Sequence, residues 1–223
     1  MKVVLPTSKL VLNYFALPNG LGGRGGVLRF FFLSQGIEFE EKLFAPGEEW
    51  AAEKARLKAS GENPTAKTPV VYADDQPLPE HISTARLLAH VHGVSSSDLY
   101  KNYVQDLVSD EYQNFRNVWA QAVFSGTDDE KATYRETEVP QRLEQFDSLY
   151  KSFKCDNSNA FLSTSDKTGQ PLWGDAAIFC LLYDHIQAGL LSRQALDKYN
   201  HLESMFVAYE KIPAVEQWIS SKK

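Results

Sequence analysis

The sequence predicts a two-domain α+β protein, in which a mixed α/β domain comes first and an all-α domain follows. Three observations support this order. Strand-like and helical segments alternate through residues 1–92. Residues 93–98 (GVSSSD) are small and polar, which is typical of a flexible linker. From residue 99 to residue 223 the apolar residues recur with helical spacing alone.

The first domain opens with a strand, a helix and a second strand. Residues 9–15 (KLVLNYF) are rich in β-branched and aromatic residues and predict a buried strand. Residues 27–36 (VLRFFFLSQG) are almost entirely apolar and predict a buried helix that Gly36 ends. Residues 37–44 (IEFEEKLF) alternate apolar and acidic residues, which predicts the second strand.

The rest of this domain is expected to hold a helical stretch, two short strands and a helix. Residues 46–64 (PGEEWAAEKARLKASGENP) are polar and predict an irregular, partly helical segment. Two short strands follow at residues 68–73 (TPVVYA) and 76–78, and a helix follows between Glu80 and His92. The second domain contains four long segments with helical periodicity, at residues 103–124, 134–153, 175–191 and 196–212.

A glycine-rich stretch, LPNGLGGRGG at residues 17–26, separates the first strand from the first helix. Read from Gly20, it matches the G-x-G-x-x-G pattern of dinucleotide-binding folds. In that pattern the first glycine ends the strand directly, whereas here residues 16–19 intervene. Two short strands close together also differ from the regular alternation of a doubly wound sheet. The sequence therefore predicts that NAD(P) does not bind.

Composition narrows the classes of function. The chain has 23 basic and 29 acidic residues among its 223 residues, which argues against binding nucleic acid through phosphate contacts. No apolar run is long enough to span a membrane, and the N-terminus (MKVVLPTSK) is too short and polar for a signal peptide. The two cysteines, Cys155 and Cys180, fit no metal-binding spacing and favour a reducing, cytoplasmic setting.

Several motifs, taken in order, resemble the N-terminal domain of the cytosolic glutathione S-transferases. They are NYF, RGGVLRFFFLSQGIEFEEKLF, WAAEK and NPTAKTPVVYADDQPLPEHISTARLLA. The resemblance extends along the chain and is strongest to the tyrosine-type classes (alpha, mu, pi and sigma). It implies a thioredoxin-like βαβ-ββα domain at residues 1–92, a linker at 93–98 and an all-helical domain at 99–223. It also implies glutathione as co-substrate, no prosthetic group and a homodimer.

In the resemblance, Tyr14 occupies the position of the catalytic tyrosine and Arg24 that of an arginine beside it. A phenolic O–H that donates to the glutathione sulfur favours the thiolate, which is the nucleophile. Arg24 would place positive charge near that thiolate. Two alternatives stay open, namely that Tyr14 packs in the core and that Arg24 is a solvated turn residue. A third is that Asn19 stabilises the thiolate, as in relatives that resemble fungal nitrogen regulators.

The resemblance also implies the residues that hold glutathione. Trp50 and Lys54 lie one helical turn apart and would hold its glycine end, although an amphipathic surface helix gives the same pair. Thr68 would pair with the cysteinyl backbone before a cis Pro69, with Lys67 as a neighbouring polar contact.

Two of the implied glutathione residues depart from the family pattern. Glu80 and His81 would hold the γ-glutamyl end at a helix N-terminus, yet His81 replaces the usual hydroxyl residue. Asn114 would reach the partner subunit's glutathione, where related chains have an acid. These departures keep open a second hypothesis, a binding or structural protein that has lost turnover. Asp175 is expected to be structural.

The hydrophobic substrate is expected between the domains, near Tyr112, Phe115 and Trp119. Aromatic residues at helical spacing belong more often to a core than to a site, so a core position is the alternative. The leading hypothesis is a cytoplasmic glutathione transferase whose thiolate attacks a hydrophobic electrophile or a peroxide.

Overall fold

A four-stranded mixed sheet forms the first part of the structure, a computed structural model that describes residues 9–222. The strands are β1 (Leu10–Phe15), β2 (Glu40–Phe44), β3 (Val70–Ala73) and β4 (Gln76–Pro79). Their order is β2-β1-β3-β4; β1 and β2 are parallel, and the other pairs are antiparallel. A mixed sheet of this order differs from the parallel sheet of a dinucleotide-binding fold. Residues 1–8, on which the signal-peptide expectation depends, lie outside the described residues.

Nine helices of the described chain surround and follow this sheet. They are α1 (Gly23–Gln35), α2 (Glu48–Ser60), α3 (His81–Val91), α4 (Leu99–Phe124), α5 (Asp128–Thr133), α6 (Val139–Phe153), α7 (Trp173–Gln187), α8 (Asn200–Glu210) and α9 (Pro213–Ser220). Within residues 9–222, none of the helices is both long and apolar enough to cross a membrane. The predicted α+β class is confirmed, with a thioredoxin-like βαβ-ββα part followed by an all-helical part.

Helix α1 lies in the centre of the molecule, and most of its residues are buried. Its residues Phe30, Phe31 and Phe32 are completely buried. Phe30 packs edge-on against Phe179 of α7, with ring centroids 5.0 Å apart. Helix α1 begins at Gly23, inside the glycine-rich stretch, rather than at residue 27 as the apolar pattern predicts. It ends at Gly36, which adopts a left-handed conformation with φ 65°.

The all-helical part is built around α7, which is buried from Trp173 to His185. Helix α4 starts at Leu99, where the Asp98 side chain accepts the Tyr100 N–H at 2.8 Å. The segment between α3 and α4, predicted to be a flexible linker, is tied down at Ser97. Its backbone N–H donates to the Asp166 carboxylate at 2.6 Å.

The other predicted helices are divided more finely than their periodicity indicates. The predicted helix over residues 134–153 is a π-helical turn (Tyr134–Glu138) followed by α6. The predicted helix over residues 196–212 contains α8 and the end of a 3-10 turn (Arg193–Lys198). The sequence patterns did not predict the short helices α5 and α9.

Candidate active site

A cleft of about 520 Å³ lies where the ends of β1, α1, α2 and α3 face α4. The residues predicted to hold glutathione meet there, except for Asn114, and Arg24 joins them. The lining residues shared with the prediction are Arg24, Trp50, Lys54, Lys67, Thr68, Pro69, Glu80 and His81. Side chains that are distant in sequence therefore form one concave surface, the usual geometry of a small-molecule site.

Trp50 is held at the cleft by aromatic contacts with the sheet. Its ring lies edge-on to Phe15 at 5.1 Å between centroids, and 6.3 Å from Phe44. Phe15 ends β1 and Phe44 ends β2, and these two strands are parallel neighbours. Because both rings stand at the same edge of the sheet, they fix the start of α2 beside the cleft.

The loop before β3 brings Lys67, Thr68 and Pro69 to the cleft. The Thr68–Pro69 peptide bond is cis, as the resemblance implies. The Thr68 hydroxyl donates to the Asn13 carbonyl of β1 at 2.9 Å, and the Asn63 side-chain amide donates to the Lys67 carbonyl at 2.7 Å. These bonds fix the loop against the end of β1.

Glu80 and His81 form the corner between β4 and α3. Glu80 has φ 69°, a conformation that non-glycine residues rarely adopt, and His81 is the first residue of α3. His81 is only 1% exposed, and its Nε2 has no hydrogen-bond partner among the described residues. Burial, helped by the positive charges of Arg24 and Arg116, lowers the pKa of His81 to about 3. The imidazole is therefore neutral at physiological pH.

The charges of the cleft favour an anionic ligand. Arg24, Lys54 and Lys67 line it together with one acid, Glu80. Within residues 9–222 none of the three cations forms an ion pair, and the Arg24 guanidinium donates to the Asn117 side-chain oxygen at 2.6 Å. Cationic side chains with free donors bind carboxylates well.

Tyr14 lies beneath this cleft rather than on its wall. Its side chain is 6% exposed, and its hydroxyl oxygen accepts the backbone N–H of Arg24 at 3.0 Å. Burial raises the pKa of Tyr14 above its usual value of 10, while the Arg24 N–H acts in the opposite direction. The phenol therefore keeps its proton at neutral pH and can act as a hydrogen-bond donor.

The predicted hydrophobic-substrate residues are not at the cleft. Tyr112, Phe115 and Trp119 are buried in the core, with exposures of 0%, 0% and 2%. Their helical spacing reflects the inward face of α4, so their positions do not support the role predicted for them. Asn114 lies exposed on α4 outside the cleft, and Asn19 lies exposed in the 3-10 turn before α1. The predicted contact of Asn114 with a partner subunit stays a prediction.

Five further residues line the cleft that the sequence did not predict: Phe15, Ala66, Pro79, Gln113 and Asn117. Gln113 and Asn117 are one helical turn apart on α4, so a polar pair at this spacing was a usable signal. Phe15 directly follows Tyr14, and strand alternation places it on the opposite side of β1.

A buried ion pair behind Tyr14 was also missed. The Arg116 guanidinium of α4 donates to the Asp184 carboxylate of α7 at 2.6 Å, and both side chains are completely buried. The same carboxylate accepts the N–H groups of Gly22 and Gly23, at 2.7 and 2.9 Å. Asp184 therefore caps the N-terminus of α1 from the other half of the molecule.

Close packing explains the glycine-rich stretch. A Cβ atom at Gly22 or Gly26 would lie 2.9 or 2.8 Å from the Cys180 sulfur of α7. A Cβ atom at Gly23 or Gly25 would overlap the Tyr14 side chain. Glycine is thus required on one side for α7 and on the other for Tyr14, so packing alone accounts for these glycines.

Comparison with known proteins agrees with this geometry. The family model described as "Glutathione S-transferase, C-terminal domain" matches residues 113–222. Glutathione S-transferase 4 of Caenorhabditis elegans is 23% identical over 88% of this chain and 90% of that protein. Probable glutathione S-transferase 8 of the same organism is 29% identical over 48% of this chain, an alignment that spans about half (46%) of that relative.

A solved structure shares the whole fold. The Pi-class glutathione S-transferase of Onchocerca volvulus superposes with a TM-score of 0.78 at 18% identity, covering 96% of this chain and 93% of that one. At this identity the likeness shows the fold alone. Taken together, the C-terminal part of the chain matches the glutathione S-transferase family model, and the whole chain is similar in sequence and fold to full-length glutathione S-transferases.

Proposed function

We propose that the protein is a glutathione transferase that binds glutathione in the cleft and activates its thiol with Tyr14. One observation carries the proposal: the residues expected to hold glutathione, scattered from Arg24 to His81, line a single cationic cleft. Lys54 and Trp50 are the proposed partners of the glycine carboxylate. The N-terminus of α3, at Glu80 and His81, is the proposed partner of the γ-glutamyl carboxylate.

The proposed chemistry needs a neutral phenol near the sulfur. A phenol that stays protonated donates its O–H to the thiolate and so lowers the pKa of the thiol. The Arg24 N–H occupies the Tyr14 oxygen as an acceptor, which leaves the hydroxyl proton free to point at the ligand. The thiolate then attacks a hydrophobic electrophile or a peroxide.

A second candidate is a glutathione-binding protein with weak turnover. The depth of Tyr14 favours it, since the side chain is only 6% exposed and the cleft wall is formed by its neighbours Phe15 and Arg24. Asn19 is a poorer candidate for the thiolate partner because it is exposed and does not line the cleft.

Calorimetry with glutathione and a thiolate absorbance titration of the complex test the proposal. Tyr14→Phe removes only the O–H, so we expect glutathione affinity to stay nearly unchanged. The bound thiol's pKa is expected to rise by about one to two units, and the conjugation rate at neutral pH to fall roughly ten- to a hundred-fold. Asn19→Ala is the matched control and is expected to change neither quantity.

Two results would contradict the transferase proposal. Absence of glutathione binding would remove the function altogether. Binding without conjugation over a broad panel of electrophiles would leave the binding-protein candidate.

The proposed assembly is a homodimer in the cytoplasm. Apolar or aromatic residues of α3 and of the start of α4 are exposed, namely Leu87, Val91, Leu99, Tyr100 and Tyr103. Asn114 lies further along the exposed side of α4, at helical spacing from Tyr103, where it would face a partner. Cys155 and Cys180 are both free thiols, as a reducing compartment favours. Analytical ultracentrifugation of Tyr103→Glu against the unmodified protein tests the interface.

A further inference from the structure

We infer that Asp184 of α7 is a positioning residue for the Tyr14 hydroxyl, acting through the N-terminus of α1. The inference rests on the proposed function, because it concerns the group that activates the thiol. Asp184 does not line the cleft, so it has no contact with a ligand bound there.

A run of backbone amides at the start of α1 connects Asp184 to Tyr14. The first N–H groups of a helix have no partner within the helix and point out of its end. Here Gly22 and Gly23 donate theirs to the Asp184 carboxylate, and the next residue, Arg24, donates its N–H to the Tyr14 oxygen. Three successive amides therefore serve two acceptors. Because one short backbone run carries all three, the carboxylate and the phenol are fixed relative to each other.

Close packing around the glycines leaves this run of amides little freedom to move. The Cys180 sulfur leaves no room for a side chain at Gly22 or Gly26, and the Tyr14 side chain leaves none at Gly23 or Gly25. The Cys180 thiol also donates to the Gly23 carbonyl, at 3.2 Å. A displacement of the amide run away from α7 would therefore press directly on the Tyr14 ring.

The charge of Asp184 is compensated by a buried arginine. Asp184 alone would oppose an anion near Tyr14, but Arg116 pairs with it at 2.6 Å. Arg116 lies over the rings of Trp119 and Tyr112, with its guanidinium carbon 4.6 and 5.4 Å from their centroids. The two charges act on the phenol in opposite directions, so the pair supplies fixed hydrogen bonds with little net charge.

The test removes both charges together. In Arg116→Met/Asp184→Leu the anchor for the amides is lost but no uncompensated charge remains, and such replacements of buried pairs are often tolerated. The readout is the pKa of the thiol of bound glutathione, measured by thiolate absorbance. We expect a rise of about one unit, which lowers the fraction of thiolate at neutral pH. In the Tyr14→Phe background the same double substitution is expected to cause no further rise.

Asp175→Asn is the matched control, because Asp175 is equally buried on the same helix but has no bond to α1. It is expected to leave the thiol pKa unchanged. If the charge-free pair yields too little folded protein, Asp184→Asn replaces it. The Arg116 charge then acts on the thiol in both backgrounds, so the difference between backgrounds isolates the part that Tyr14 transmits.

The outcomes separate this inference from the proposed function. If Tyr14→Phe raises the thiol pKa and the Asp184 variants do not, the inference is overturned and the function stands. Equal shifts in the two backgrounds also overturn it, because Asp184 would then act on the thiol directly. If Tyr14→Phe itself leaves the thiol pKa unchanged, the proposed mechanism fails first.

Discussion

Asp175 and Asp184 lie on the same helix and are both completely buried, yet they hold different parts of the molecule together. Asp175 accepts hydrogen bonds from neutral donors of the helical part, the side chains of Gln105 and Tyr150 and the N–H of Leu162. Asp184 accepts the amides of α1 and pairs with the Arg116 charge. The first turn of α7, at Asp175, therefore bonds to the all-helical part, and its last turn, at Asp184, joins that part to α1.

The difference shows that the partners of a buried carboxylate decide how it responds to pH and to substitution. A carboxylate that meets only neutral donors can accept a proton without breaking an ion pair, so it responds to pH. A carboxylate paired with a buried arginine cannot be removed without leaving the arginine uncompensated. The two aspartates should therefore differ both in the size of their effect on stability and in its dependence on pH.

The largest effect is expected from removing one member of the buried pair. Asp184→Ala leaves Arg116 in the core without a counter-charge and should lower the free energy of unfolding by about 3 to 5 kcal/mol. Urea denaturation measures it. Arg116→Met/Asp184→Leu should regain most of the loss, and a double substitution as unstable as the single one would show that the charge is not the cause.

The second effect belongs to Asp175 and depends on pH. Burial raises its pKa to about 6 in the folded state, above the value of about 4 expected in the unfolded chain. The folded protein then binds the proton more tightly, so this contribution to stability is fully present below about pH 4 and is lost as the pH rises through 6. Relative to Asp175→Asn, the free energy of unfolding should fall by about 2 to 3 kcal/mol across that range. Parallel pH profiles for the two proteins would contradict this.

A smaller effect tests the contact between the glycine-rich stretch and α7. A methyl group at Gly26 would lie 2.8 Å from the Cys180 sulfur, so Gly26→Ala should cost about 1 to 2 kcal/mol through overpacking. Adding Cys180→Ala removes the sulfur and should make the glycine substitution nearly neutral. Thermal unfolding of the four proteins in the cycle measures the coupling, and strictly additive losses would mean that the two groups do not touch.

The smallest effect is expected at an exposed ion pair between α3 and α4. Arg86 donates to Asp106 at 2.8 Å, but the two side chains are 46% and 35% exposed. Arg86→Ala should change the free energy of unfolding by less than about 0.5 kcal/mol, because water screens such pairs. If Arg86→Ala lowered the free energy of unfolding as much as Asp184→Ala, burial would not explain the difference between the two ion pairs.

The sequence predicted the sheet and most of the cleft because both leave local signals. A β-branched and aromatic run predicted β1, and alternating apolar and acidic residues predicted β2. Short motifs predicted the roles of Trp50 and of the segment around Thr68. It also contained unused signals for the short helices. Thr127 and Glu130 form a capping box at α5, and Pro213 is the first residue of α9.

The buried network could not be predicted in this way. Arg116 and Asp184 are 68 positions apart, and Asp184 is 162 positions from Gly22. No periodicity or spacing connects them, and a charged residue in a helix is usually expected on the surface. For Tyr112, Phe115 and Trp119 a spacing pattern does exist, but it is ambiguous. Aromatic residues at helical spacing are found both in cores and at binding sites.

The capping of α1 by α7 has a consequence for synthesis of the protein. Gly23 emerges from the ribosome 161 residues before Asp184, an interval of roughly 8 to 30 seconds at ordinary rates of translation. Throughout that time the Phe30 face of α1 lacks the rings of Phe179, Tyr183 and Trp218 that later cover it. The nascent first half therefore carries an uncovered apolar helix, and we expect it to depend on chaperones until α7 and α9 have been made.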